Sequence, residues 1–172
     1  VCGGSAAPPA LIKRYEENLG IPFYHAYGLT ETTPLVTVAR LKSYQETLSG
    51  EEKLALKSKQ GLLVPGLEMR IEGARGEVQW DGREMGELLL RGPWIAGSYF
   101  RDEESDHVFA DGWFHTGDIA TIDGEGFIQL VDRARDLIKS GGEWISPVEL
   151  EQAIAEHEGV LEVAVVAVSS VR

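Results

Sequence analysis

The chain changes character at Asp132-Arg133-Ala134-Arg135-Asp136-Leu137-Ile138-Lys139-Ser140-Gly141-Gly142-Glu143-Trp144. Three basic residues and two acids occupy the first eight positions, and a glycine pair follows them. Glycine adopts backbone angles closed to other residues and lets a ligand approach the main chain, while the charged side chains offer partners for phosphate or ribose. A charged surface turn is the simpler interpretation of this segment alone. The sequence on either side decides whether it is such a turn or a pivot between two domains.

The composition limits the class of protein. Of 172 residues, 43% are hydrophobic and 26% are charged, which is typical of a globular protein of one or two domains. The net charge of -12 argues against a nucleic-acid partner, because a phosphate backbone is met by clustered lysine and arginine. Cys2 is the only cysteine, which argues against a disulfide framework and favours a cytoplasmic location. No apolar run approaches the ~18 residues of a transmembrane segment. The start at Val1, in a predicted strand end, suggests a piece of a longer protein.

Residues 1–61 predict the end of an α/β sheet. Residues 1–6 indicate a strand end and a glycine-rich turn. Pro8 and Pro9 are then expected to open a helix that Gly20 ends. Residues 21–26 are apolar and aromatic, which predicts a second buried strand. Because ligands sit beyond the carboxyl ends of strands in such sheets, the following loop at residues 27–34 is a candidate site.

Residues 62–132 predict a compact antiparallel β-subdomain, barrel-like or sandwich-like. A capping box formed by Ser49 and Glu52 predicts a surface helix just before it, over residues 51–59. Short alternating runs with glycine punctuation then predict small strands. The expected strands are residues 67–71, 78–80, 87–91, 95–100, 119–122 and 127–131. The last two form a hairpin that leads into the pivot.

A second unit is expected after the pivot. Ser146, Pro147 and Glu149 predict a helix start, with the helix running to about residue 157. Residues 160–168 are almost wholly apolar and β-branched, which predicts a buried strand. The expected fold class is therefore mixed α/β, with a large domain over 1–132, a hinge at 133–136 and the start of a small α+β domain over 137–172.

Two short segments could bind a nucleotide. Thr30 and Glu31 offer a hydroxyl for phosphate and a carboxylate for Mg²⁺, and Tyr27 nearby offers an aromatic face for a base. Asp118, at a predicted strand start, could accept both hydroxyls of a ribose. Ordinary polar turns remain the alternative for each segment taken alone. The histidines lack metal-ligand spacing, and no serine has the Gly-x-Ser-x-Gly setting of a hydrolase nucleophile.

Taken together, four motifs resemble those of the adenylate-forming enzymes, a group that includes acyl-CoA synthetases, adenylation domains and luciferases. They are residues 3–6, residues 27–31, residues 113–118, and residues 132–139 with Gly142, Ile145, Glu149 and Glu151. The resemblance spans nearly the whole chain. Residues 25–34 and 139–146 are most similar to bacterial medium- and long-chain fatty-acyl-CoA synthetases, although Tyr27 and Leu29 stand where many of those enzymes carry Trp and Met.

This resemblance implies ATP or AMP, Mg²⁺ and coenzyme A as ligands, and it assigns roles residue by residue. Thr30, Glu31 and Arg133 are the expected catalytic residues: Thr30 binds the α-phosphate, Glu31 holds Mg²⁺, and Arg133 contacts ribose or phosphate. Asp118 binds the ribose hydroxyls. The ring of Tyr27 and the backbone of Gly4, Ser5 and Ala6 flank the adenine, and Gly28 also belongs to the residues that bind the nucleotide.

For the pivot, the resemblance implies motion between two half-reactions. Arg135 occupies the hinge position, where the family usually has Asp or Lys. Lys139, Gly141 and Gly142 belong to a loop that lines the pantetheine channel after the small domain turns.

The implied activity is conversion of a carboxylic acid, a fatty acid by its nearest resemblance, to an acyl-adenylate and then to an acyl-CoA. The alternatives are an aryl-CoA ligase, a peptide-synthetase adenylation domain, or a non-catalytic nucleotide-binding or interaction module. The segment contains neither the family's Ser/Thr/Gly-rich phosphate loop nor its late lysine, so we expect the 172-residue chain alone to be inactive. The family includes monomers and dimers, and the sequence favours neither.

Overall fold

The computed structural model of the chain describes residues 1–103, 105–135, 137–140, 143–155, 157, 159–166 and 168. Four α-helices are present in this part of the chain: α1 Pro9–Leu19, α2 Gly50–Ser58, α3 Ser105–Val108 and α4 Pro147–Ala155. The strands are β1 Ala26–Tyr27, β2 Thr37–Val38, β3 Leu62–Leu63, β4 Glu68–Gly73, β5 Gly76–Glu77, β6 Gly86–Arg91, β7 Phe109–Ala110, β8 Trp113–Ile122, β9 Ile128–Arg133, β10 Ile138–Ser140 and β11 Glu143–Ile145. None of the helices described is long and apolar enough to cross a membrane.

A six-stranded antiparallel sheet forms the largest unit. Its order is β5-β4-β6-β8-β7, and β9 pairs with the second half of β8. Strand β8 therefore has β6 along one edge, and β7 followed by β9 along the other. This sheet confirms the predicted β-subdomain, and the whole chain has the expected mixed α/β character.

A three-stranded antiparallel sheet, in the order β1-β2-β3, packs on the same core. Tyr27 and Val36 from its strand ends join side chains of the larger sheet in one buried cluster. The members from the larger sheet include Ile71, Leu88, Leu90, Ile122 and Ile128, each 2% exposed or less. Burying an aliphatic side chain of this size stabilises a fold by roughly 1.5–3 kcal/mol, so this shared cluster holds the two sheets together.

The predicted helix boundaries are confirmed. Helix α1 begins at Pro9 and ends before Gly20, which has a φ of 66°. Helix α2 begins with the predicted capping box: the backbone N–H of Glu52 donates to Ser49 Oγ at 3.2 Å, and the N–H of Ser49 donates to Glu52 Oε2 at 2.9 Å. Helix α4 begins at the predicted proline.

The predicted strand at residues 21–26 is wrong over most of its length. Strand β1 begins only at Ala26, and Cys2 and His25 form a single parallel bridge. The backbone N–H of Phe23 donates to Glu16 Oε1 of helix α1 at 2.8 Å, so a helix side chain takes the bond that a strand would need. Pro22 has no backbone N–H to give to a sheet.

Two predicted strands of the β-subdomain are also wrong. At residues 78–80 the backbone N–H of Gln79 donates to Glu84 Oε2 at 3.1 Å, and the short strand β5 lies just before this segment. At residues 95–100 the N–H groups of Ala96 and Tyr99 donate to Glu31 O and Ser105 Oγ. Val78 still bonds to β4, since its N–H donates to the Ile71 carbonyl at 2.9 Å. The N–H groups of Gln79, Ala96 and Tyr99 instead bond outside a strand ladder, so neither segment continues as a strand.

The predicted strand at residues 160–168 is not formed in its described part, residues 160–166 and 168. Leu161, Val166 and Val168 are 96%, 73% and 86% exposed. The N–H of Val165 donates to Glu151 Oε1 of helix α4 at 2.8 Å. A β-branched run becomes a strand only where another strand pairs with it, and none of the described strands does so here.

Candidate active site

A cleft of about 350 Å³ opens beside the middle of β8. Among the predicted site residues, Glu31 and Arg133 line it, although they are far apart in sequence. Among the described residues, the lining consists of Leu29, Glu31, Glu87, Tyr99, His107, Val108, Phe114, His115, Thr116, Gly117 and Arg133. The loop after β1, the centre of β8 and the end of β9 thus meet at one place.

A bulge in β8 shapes the wall of this cleft. Glu87 of β6 pairs with Ile119, while Leu89 pairs with His115, so residues 116–118 of β8 all face Leu88. Gly117 has a φ of 68°, a conformation that favours glycine. Asp118 therefore lies within a bulged strand, and not at the strand start that the sequence predicted.

Three hydrogen bonds that involve side chains hold the bulge. Thr116 Oγ1 donates to the carbonyl of Leu88 at 2.7 Å, and the N–H of Asp118 donates to the same Thr116 Oγ1 at 3.0 Å. On the cleft side, the N–H of Gly117 donates to Glu87 Oε1 at 3.1 Å. These bonds fix the backbone on which the Asp118 carboxylate is mounted.

Asp118 is 4% exposed and has two donors. Arg133 Nε lies 2.8 Å from its Oδ1, and the Tyr27 hydroxyl donates to its Oδ2 at 2.5 Å. Arg133 Nη1 also donates to the Thr116 carbonyl at 3.2 Å. Burial raises the pKa of Asp118 above its ordinary value, whereas the bond from Tyr27 and the charge of Arg133 oppose that rise. Burial and the neighbouring Asp118 carboxylate likewise raise the pKa of the Tyr27 phenol.

The predicted site residues at the end of β1 and in the loop after it lie in different environments. Tyr27 is 8% exposed and packs in the core cluster. At Gly28 a Cβ would lie 1.5 Å from the carbonyl of Pro34, so only glycine fits this turn. The following 3₁₀ turn, Thr30–Thr32, exposes Thr30 and directs Glu31 to the cleft.

Glu31 is held by a residue that the sequence reasoning missed. The Tyr99 hydroxyl donates to Glu31 Oε1 at 2.6 Å, and this bond, more than partial burial, raises the pKa of Tyr99 to about 12. The contact spans 68 positions of sequence, and Tyr99 lies in the segment that was predicted as a strand. Glu87 was missed as well, because nothing in a regular strand pattern separates it from an ordinary surface acid.

Other predicted residues lie outside the cleft lining. Gly4, Ser5 and Ala6 are exposed, with the Ser5 carbonyl 3.1 Å from His25 Nε2. Arg135 is exposed in the turn after β9. Lys139 is in strand β10, and Gly141 and Gly142 lie outside the described residues.

The chemistry of the cleft suits Mg²⁺ brought in by a phosphate ligand. Glu31 lines the cleft with carboxylate oxygens, the donors that a hard cation prefers, while its chain neighbour Thr30 is exposed outside the lining. The described residues contain no cluster of three or more His, Cys, Asp or Glu that could hold a metal without other ligands. Because Mg²⁺ commonly uses one or two carboxylates together with substrate phosphates and water, this donor set fits the ion.

The chain is similar in sequence to proteins of known family. The sequence profile described as "AMP-binding enzyme" matches residues 1–100. The long-chain-fatty-acid–CoA ligase of Thermus thermophilus is 50% identical over 171 residues, which are 98% of this chain and 31% of that protein. The medium-chain-fatty-acid–CoA ligase of Ectopseudomonas oleovorans is 42% identical over 168 residues, which are 97% of this chain and 31% of that protein.

A solved structure shares the fold over nearly the whole chain. The o-succinylbenzoate CoA synthetase of Bacillus subtilis, in complex with its acyl-adenylate intermediate, superposes with a TM-score of 0.81 at 34% identity. The alignment covers 98% of this chain and 32% of that structure. The chain thus spans about a third of the length of the relatives it matches. Since the family profile covers 100 of its 172 residues, the chain belongs to the AMP-binding enzyme family.

Proposed function

We propose that this chain is part of an ATP-dependent acyl-CoA synthetase, which activates a carboxylic acid as an acyl-adenylate and then transfers the acyl group to CoA. The observation that carries the proposal is the meeting of Glu31, Arg133 and the β8 bulge at one cleft, with Asp118 buried behind it. Membership of the AMP-binding enzyme family supports it.

In the first half-reaction, a carboxylate oxygen of the acid attacks the α-phosphorus of ATP in line, and the bond to pyrophosphate breaks. Thr30 would bind the α-phosphate and Arg133 would contact ribose or phosphate. The Asp118 carboxylate, whose two oxygens are held by Arg133 and Tyr27 in this structure, would accept hydrogen bonds from the ribose hydroxyls. Glu31 would hold Mg²⁺, which would supply positive charge to balance that of the phosphates. Catalysis here comes mainly from positioning the two reactants and from placing cations where negative charge develops.

In the second half-reaction, the sulfur of CoA attacks the acyl carbonyl and AMP leaves. We propose that the domain of residues 137–172 turns about the segment 133–136, with Arg135 as the hinge residue. Two features support a boundary there: β9 ends at Arg133, and β10 and β11 pair only with each other among the described strands. Lys139, Gly141 and Gly142 would then line the path of the pantetheine arm.

A fatty acid is the proposed substrate. The support is similarity: the relatives at 50% and 42% identity are named as fatty-acid–CoA ligases. A relative named as a trans-cinnamate:CoA ligase, from Petunia hybrida, is almost as similar as the second of these, at 41% identity over 96% of this chain. Aryl acids are therefore the alternative substrate class.

The test is a panel of acids given to the full-length protein that carries this sequence. We expect pyrophosphate release and acyl-CoA formation with medium- and long-chain fatty acids at rates well above those with cinnamate or benzoate. Glu31→Gln should lower ATP–pyrophosphate exchange by on the order of 100-fold. Glu68→Gln, a change at an exposed acid paired with Arg91, is the matched control and should not alter the exchange.

Two outcomes would redirect the proposal. Faster turnover of aryl acids would assign an aryl-CoA ligase, and nucleotide binding without turnover of any acid would assign a non-catalytic module. The 172-residue chain alone should show no exchange.

A further inference from the structure

The segment that follows β6, residues 92–103, is fastened to the turn that carries Glu31. The N–H of Ala96 donates to the Glu31 carbonyl at 2.7 Å, and the Tyr99 hydroxyl donates to Glu31 Oε1 at 2.6 Å. Beside these bonds, Thr33 Oγ1 donates to the Trp94 carbonyl at 3.1 Å. Both the main chain and the side chain of Glu31 are therefore held from the same segment.

Tyr99 is itself held in place. Its N–H donates to Ser105 Oγ at 2.5 Å. Its ring contacts Phe109 edge-on, with 5.3 Å between centroids, and Phe109 stacks on the buried Phe114 at 5.1 Å. A donor fixed in this way loses little conformational freedom when it forms a bond, so it can impose its geometry on the acceptor.

The hydroxyl of Tyr99 does not depend on Glu31 for a hydrogen-bond partner. Tyr99 is 36% exposed and lines the open cleft, where water can satisfy a phenol. Glu31, by contrast, has a carboxylate on a flexible side chain that must point into the cleft. The bond therefore has its main consequence on the acid: one oxygen is held by the phenol, and the carboxylate plane is set for the other.

We propose that Tyr99 is the positioning residue for Glu31, which orients the carboxylate so that its second oxygen faces the Mg²⁺ of a bound nucleotide. This inference rests on the proposed function. Partners that hydrogen-bond to a metal-ligating carboxylate orient it, and their removal commonly weakens metal affinity by about 10–100-fold. Tyr99 would contribute without touching metal or substrate.

The experiment measures binding to the full-length protein by calorimetry, with a non-hydrolysable ATP analogue in the presence of Mg²⁺ or of EDTA. Tyr99→Phe keeps the ring that packs on Phe109 and removes only the hydroxyl. It should raise the dissociation constant measured with Mg²⁺ by about tenfold and leave the value in EDTA unchanged. Introduced into Glu31→Gln, the same change should have no further effect.

The chain contains a matched control. Tyr44 also donates its hydroxyl to a carboxylate, that of Glu125 on the β8–β9 hairpin, and neither residue lines the cleft. Tyr44→Phe should leave both dissociation constants unchanged.

Several outcomes would overturn the inference. If the Tyr99→Phe protein binds the Mg²⁺ complex as tightly as the wild type, the hydroxyl does not contribute to binding. If it binds the complex more tightly, the hydroxyl competes with the cation. An equal loss in EDTA, or in the Glu31→Gln background, would mean that Tyr99 acts only on the loop. Wild-type protein that fails to bind the analogue would contradict the proposed function itself.

Discussion

At the scale of single residues, Asp118 is an acidic residue whose side chain is almost fully buried. Its carboxylate lies among core side chains and is balanced by Arg133 and by the hydroxyl of Tyr27. The raised pKa of Asp118 means that the folded protein disfavours its ionised form despite these partners. Residues kept for binding often reduce stability in this way.

The first prediction concerns the pH dependence of Asp118→Asn. A carboxyl whose pKa is raised by folding contributes stability that is present at low pH and lost as the pH rises through its folded pKa. Asparagine does not titrate, so the variant lacks this pH-dependent contribution. The melting temperature of the variant minus that of the wild type should therefore increase as the pH rises above the ordinary Asp value of 3.8.

Asp123 provides a control, because its pKa is shifted in the opposite direction. Burial acts to raise the pKa of Asp123, but Lys59 and the backbone N–H groups of Phe127 and Glu125 lower it below its ordinary value. Its ionised form thus stabilises the fold, and this stability is lost as the pH falls. The melting-temperature difference for Asp123→Asn should become more negative as the pH rises. The same slope for both variants would refute the assignment of opposite pKa shifts.

At the scale of the element, β8 serves both structure and site. It pairs with three strands, and its bulge turns Asp118 inward at the point where the cleft opens. Gly117 makes this possible, because its φ of 68° is unfavourable for other residues. A Cβ added at this position would meet no atom within 4 Å. A substitution at this position therefore tests backbone conformation without a steric clash.

The second prediction compares two glycines of β8 and its turn. Gly117→Ala and Gly112→Ala both place a Cβ in open space at positive φ, 68° and 77°, so each should cost about 1 kcal/mol of stability. Only Gly117→Ala should also weaken ATP binding, because only Gly117 lines the cleft and precedes Asp118. Denaturant unfolding and calorimetry with an ATP analogue measure the two effects. Equal losses of binding in the two variants would contradict the role of the bulge.

At the scale of the whole molecule, Gln60 joins the two sheets. It is 5% exposed and lies just before β3. Its N–H donates to the Ile128 carbonyl at 3.0 Å, its Oε1 accepts from the N–H of Leu130 at 2.7 Å, and its carbonyl accepts from Thr37 Oγ1 at 2.6 Å. This one residue thus connects β2, through its main-chain carbonyl, with the edge strand β9 of the larger sheet, through its main-chain N–H and its side-chain Oε1.

The third prediction is that Gln60→Met destabilises the protein by about 1–3 kcal/mol, because it keeps the side-chain length and leaves the N–H of Leu130 without its buried acceptor. Thermal and denaturant unfolding of the full-length protein measure this change. Gln129→Met, on the exposed face of β9, is the control and should lie within about 0.5 kcal/mol of the wild type. A Gln60→Met variant as stable as the wild type would show that the stability of the contact between the two sheets does not depend on the side-chain amide of Gln60.

The sequence by itself determined features that depend on local chemistry. Prolines set the starts of α1 and α4, a capping box sets the start of α2, and Gly20 ends α1, because each acts on backbone angles or donors within one turn. The turn at residues 123–126 predicted the β8–β9 hairpin for the same reason. The order of four motifs was enough to identify the family before any contact was known.

Only the tertiary structure decided which apolar segments became strands and which polar residues met. Residues 21–25 and 95–100 have the composition of strands, yet their backbone donors are taken by Glu16, Glu31 and Ser105 from elsewhere in the chain. The bond between Tyr99 and Glu31 and the burial of Asp118 likewise depend on packing between distant segments. Local sequence patterns do not encode such partners, because a hydrogen bond across the fold depends on where every intervening element has been placed.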